Sequence, residues 1–181
     1  MPDTRKIVLL AAATAVVIAA LCFVGNTPVA GLKLATVVTA RFSGLIFAFA
    51  LVARASQFAS RRATVMLAFV AAHGVHFANV LALAILDRGS DFHNLKPQTF
   101  ITFAVGFSIL GVLALTTRAA SRAGRITHAI TGYVVWALFV IAFFYGRKQP
   151  ASAAMLIVVL AALLLRIGLG MSAAKARPAS A

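Results

Sequence analysis

Of 181 residues, 62% are hydrophobic and 11% charged, more apolar surface than a soluble domain of that length can hide, which excludes a soluble globular fold. A formal net charge of +14 would point a soluble chain toward nucleic acid. Here the lysines and arginines punctuate apolar runs instead, the pattern of helix ends facing anionic lipid, so the expected partner is a bilayer and not nucleic acid.

A polar lead over residues 1–6 precedes the first apolar run, residues 7–24. Ala19-Ala20-Leu21 is a poor signal-cleavage site, so the run reads as a retained helix. Cys22 is the only cysteine and has no disulfide partner, which leaves it a packing residue. Gly25-Asn26-Thr27-Pro28 marks a turn. The second run, residues 34–53, contains Arg41, followed by Phe42, Ser43 and Gly44, and a basic loop leads from it to Arg62.

The third run, residues 61–86, opens with two arginines and then continues for 24 residues without a charge. About 20 residues at 1.5 Å each cross a ~30 Å hydrocarbon core, so this is a membrane-spanning helix. It carries His73, His76 and Asn79. Imidazole in hydrocarbon is costly without a partner, and a spacing of three places both histidines on one helical face, a candidate site. A mixed loop follows with Asp87, Arg88, Asp91, a solvated His93 and Lys96. The fourth run spans residues 99–117, and Arg118, Arg122 and Arg125 fill the next loop. The fifth, residues 126–145, holds His128, Tyr133 and Trp136. Arg147, Lys148 and Pro150 connect it to the sixth, residues 151–170, in which Arg166 is expected to snorkel to the surface.

The expected fold is therefore an all-α integral membrane protein, a six-transmembrane-helix bundle forming one domain over residues 1–181, with no soluble domain. Ten lysines and arginines lie in the lead, the tail and the two loops on their side, against five in the alternate loops, so both termini are expected in the cytoplasm. Only three residues are acidic and none falls inside a predicted span, which argues against carboxylate-based ion transport. No glycine-rich nucleotide fingerprint, carboxylate pair or serine–histidine–aspartate set is present.

Several features cluster between Arg41 and Tyr145: the small-residue stretch Arg41-Phe42-Ser43-Gly44, the Arg61-Arg62 pair with Phe69 and a helix-three histidine, the run KPQTFITFAVGFSILGVLALTT, and RITHAITGY opening helix five. With them the chain resembles the ferric-reductase-like transmembrane domain over a core of residues 34–146. Within that superfamily it is most similar to the haem-binding membrane subunits of bacterial periplasmic methionine sulfoxide reductase systems. The resemblance implies a protein of the bacterial inner membrane that carries electrons through a haem b for a separate reductase or periplasmic oxidoreductase, with a flavin or quinone reached through that partner. It implies axial ligation by His73 or His76 from helix three and by His128 from helix five. Members of the family carry a further histidine along helix five, where this chain has Ile141.

Counted from the outer ends of the runs, His73 and His128 differ in height by about 6 Å, and from the cytoplasmic ends by about 12 Å. His76 fits worse on both counts, so His73 and His128 are the expected metal ligands. Arg41, His76 and Tyr133 are the expected cofactor neighbours, Arg41 as the cation for a propionate. The alternative is a cofactor-free membrane component or permease in which the histidines are hydrogen-bonded packing residues.

Overall fold

The computed structural model describes residues 3–53, 59–87 and 97–175. Arg54, the loop residues Arg88, Asp91, His93 and Lys96, and the end of the tail lie outside them. Six α-helices make up the described chain: α1 (Thr4–Leu21), α2 (Pro28–Ala53), α3 (Arg62–Leu86), α4 (Pro97–Thr116), α5 (Arg122–Tyr145) and α6 (Pro150–Lys175), with a short 3-10 turn, Ala59–Arg61, before α3. No strand occurs among the described residues. Five of the helices are long and apolar enough to cross a membrane, and α4 adds a shorter apolar stretch, Ala104–Thr116.

Helix starts follow local chemistry. Asp3 accepts a hydrogen bond from the Arg5 amide, and Ser121 accepts one from Gly124, each satisfying an amide that the first turn leaves orphaned. Proline opens α2, α4 and α6, where its missing N–H costs nothing and its fixed φ suits the helix. Between α1 and α2 the chain reverses through Gly25 at φ 74°, a left-handed conformation that a side chain would strain.

Consecutive helices run antiparallel. Thr4 meets Thr64 at 3.1 Å, which sets the start of α1 beside the start of α3. Lys33 meets Asp87 at 2.8 Å, joining the start of α2 to the end of α3. Arg41 reaches Gln149 and Ser152 at the start of α6, and Trp136 donates to the Val159 carbonyl at 3.1 Å, tying α5 to α6.

The most extensive packing is α2 on α3, with α1 also on α3 and α6 on α2. Phe47, Phe69, Leu113, Phe139, Phe143 and Val159 form the core. Gly44 permits the close approach of α2: a Cβ there would lie 3.1 Å from Met155 Cε and 3.4 Å from the Phe139 and Phe143 rings. The outer surface is apolar as well. Leu115 is 85% exposed and Leu164 69%, orientations that suit a molecule surrounded by lipid. Cys22 is buried beside Ala19 and Ala35, a packing position.

Candidate functional site

α3 brings its two histidines against α2. The Nδ1 of His76 lies 3.0 Å from the Thr36 carbonyl oxygen. A carbonyl only accepts, so this nitrogen carries the proton, and in a neutral ring Nε2 is then left as a lone pair. The Nδ1 of His73 lies 2.8 Å from Ser43 Oγ, whose hydroxyl donates to the Ala40 carbonyl at 3.0 Å. With that hydrogen directed at Ala40 the hydroxyl accepts from His73, and with it turned to His73 it donates, so the direction of this bond follows the tautomer of the ring. Ser43 is fully buried, which holds this relay in place.

The two rings stand side by side, centroids 4.9 Å apart. Phe77 meets His73 edge-on at 4.9 Å and Phe139 meets it at 5.3 Å. Together with Phe143 these rings wall a cavity of about 590 Å³ between α3, α4 and α5, with Ala40 of α2 at its edge and aliphatic side chains and Gly106 for the rest. That volume falls within the range of cofactor-sized pockets. Ile101, Val105 and Leu138 line it and are also exposed on the outer surface, so the cavity opens sideways between α4 and α5. Gly106 makes room for its far wall, since a Cβ there would fall 2.7 Å from Phe77 Cζ.

His128 does not join this cavity. It is 3% exposed, with Nδ1 3.2 Å from Thr116 Oγ1, and it lines a separate, smaller cavity with Arg62 and Arg125. On α5 the residue that touches His73 is Phe139, eleven positions beyond His128 and about 16 Å further along the helix. Counting on α3 from Arg62, which shares the His128 cavity, to His73 gives the same eleven positions. Metal–imidazole bonds are about 2 Å long, so one iron does not reach both His73 and His128 in this arrangement.

Arg41 sits between Thr36 and Ser43 along α2, level with the histidine pair, but its guanidinium turns to α6. It donates to Gln149 Oε1 at 3.0 Å and Ser152 Oγ at 3.1 Å, while its Nε is buried with no hydrogen-bond partner among the described residues. Tyr133 is 45% exposed and does not line the cavity. Its ring lies 4.8 Å beneath the Arg166 guanidinium, a cation–π contact that joins α5 to α6. Asn79 donates to Thr39 Oγ1 at 3.4 Å, one more polar tie between α3 and α2.

Sequence reasoning did not single out Thr36 as a histidine partner. A backbone carbonyl carries no sequence signal, whereas Ser43, ten residues before the close of its apolar run, is a polar side chain that could have been suspected. No family model, curated protein or solved structure matches the chain.

Proposed function

We propose that this chain is a haem b-binding subunit of the bacterial inner membrane that carries electrons across the bilayer for a partner oxidoreductase, as a six-span bundle with both ends in the cytoplasm. One observation carries the reading. Two imidazoles stand on the wall of an otherwise apolar, cofactor-sized cavity, each with Nδ1 engaged by α2. That is how ligating histidines are held: the bond at one ring nitrogen fixes the tautomer and leaves the other a lone pair for the metal.

The residues fit a haem approached from one wall, and they do not fit an iron held between His73 and His128. His76 is the preferred ligand, because its tautomer is fixed by a carbonyl that cannot donate. Bound haem supplies one-electron exchange. The chain's own residues do the rest. Phe77 and Phe139 wall the cavity with apolar rings, and Ser43 and Thr36 orient the imidazoles, while Arg41, bonded to Gln149 and Ser152, stands at the same height but outside the cavity lining.

The test is the visible spectrum of the purified protein reconstituted with haemin. The parent is expected to show a Soret band, His76→Ala to lose most of it, His73→Ala to lose part, and His128→Ala to keep it. A colourless parent, or full haem in both helix-three variants, overturns the assignment.

A second reading has its own support, since the same two hydrogen bonds join α3 to α2, the most extensive helix contact in the bundle. In a cofactor-free membrane component they are polar glue. On that reading the histidine variants lose stability, and no spectrum changes.

A further inference from the structure

The end of the bundle where α1, α3 and α5 begin is strongly basic. Arg5, Lys6, Arg61, Arg62, Arg118, Arg122 and Arg125 all lie there, and Asp3 is the one carboxylate beside them among the described residues. The only other acidic residues of the chain are Asp87, bound to Lys33 at the opposite end, and Asp91, which lies outside the described residues. Within this basic end one spot is built differently from the open surface. Arg62 at the start of α3, Thr116 and Thr117 at the end of α4, and Arg125 and His128 in the first turns of α5 enclose a cavity of about 100 Å³.

The chemistry of that enclosure is specific. A water molecule occupies roughly 30 Å³ of liquid, so the space suits a group of several heavy atoms and no large ligand. Both threonine hydroxyls already donate to backbone carbonyls, Thr116 to Val112 and Thr117 to Leu113, each at 2.6 Å. They wall the space and are not its hydrogen-bond donors. The donors are the guanidiniums. Arg125 gives one N–H to the Ala120 carbonyl, which steers the side chain back over the start of α5, and four remain on a rigid planar fork. First-turn amides of α5 add positive potential at the same place.

We propose that this cavity between the ends of α3, α4 and α5 binds a phosphate group, with Arg62 and Arg125 as its ligands. An anion with several acceptor oxygens suits a small space lined by two arginines, whose forked donors match it. The source closest to hand is the headgroup of an anionic phospholipid, because basic pockets between the ends of membrane helices take such headgroups. The inference does not depend on haem and uses His128 only as part of the wall.

The experiment uses the whole chain in detergent and follows thermal unfolding as phosphatidylglycerol, phosphatidylcholine or inorganic phosphate is added. Phosphatidylglycerol is expected to raise the unfolding midpoint in a saturable way, and phosphatidylcholine is not. Losing the charge-assisted bonds in the Arg62→Gln, Arg125→Gln double variant should weaken half-saturation about tenfold or more. The Arg5→Gln, Lys6→Gln double variant removes the same charge from the same end and should bind like the parent. A saturable shift with inorganic phosphate that is also lost in the arginine variant would support the site with a free phosphate as its ligand. An equal loss in the Arg5, Lys6 control would overturn the proposal in favour of diffuse surface charge. So would undiminished phosphatidylglycerol binding by the arginine variant. Should that variant not fold, Arg125→Gln alone, an exposed position, carries the same comparison.

Discussion

His73 and His76 are neighbours on one turn, yet α2 holds them by different means. His76 rests on a carbonyl, which no side-chain substitution on α2 deletes. His73 rests on the Ser43 hydroxyl, which one substitution does delete. Ser43→Ala leaves a buried imidazole nitrogen without its hydrogen-bond partner, at a cost of about 1–3 kcal/mol. Unfolding of the purified protein in mixed detergent and dodecyl sulfate measures the loss. A double-mutant cycle with His73→Ala separates that bond from general packing. A coupling near zero would show that the contact contributes nothing to stability.

At the scale of elements, α4, like α2 at Gly44, owes its fit to an absent side chain. Phe77 enters the gap that Gly106 leaves, and the same ring touches His73, His76 and Phe107. Gly106→Ala therefore pushes on a ring that is held on its other sides, and it is expected to destabilise by about 1–3 kcal/mol. Gly111→Ala on the same helix meets nothing within 4 Å and should be neutral or slightly stabilising, because alanine is the better helix former. The same unfolding assay compares the two.

The helices themselves were legible in the sequence because a membrane span announces itself by length and apolarity. Their starts were less so: apolar runs mark the lipid-facing belt, and α2, α5 and α6 begin before it, at Pro28, Arg122 and Pro150. Counting from the ends of the runs also set His128 too near the height of His73, for a different reason. A helix-to-helix offset is fixed by packing such as Phe139 on His73, and no single run contains that information. The partners of the histidines were hidden for a related reason. Which face of α2 meets α3 is a property of the pair.

For the whole molecule, charge and architecture point the same way. Starts of α1, α3 and α5 share an end with eight described lysines and arginines, Lys175 at the close of α6 among them, while Lys33, Arg147 and Lys148 mark the other. If the richer end is cytoplasmic, as the distribution of positive charge predicts, reporters fused after Leu86 and after Tyr145 lie outside the cytoplasm and one fused after Ala181 lies inside. Alkaline phosphatase and fluorescent-protein fusions at these three positions read the orientation directly. A periplasmic signal from the last would invert it.

Trp136, the single tryptophan, is anchored by its N–H to α6, while its neighbours Val135 and Phe139 line the cavity from the same helix. The chain thus carries a fluorophore of its own, separated from the cavity by the width of α5. A ligand in that cavity whose absorption overlaps indole emission drains the excited state through space, and a colourless ligand leaves it bright. Occupancy of the site is therefore written into the protein's intrinsic light, with no label to attach and no residue to change.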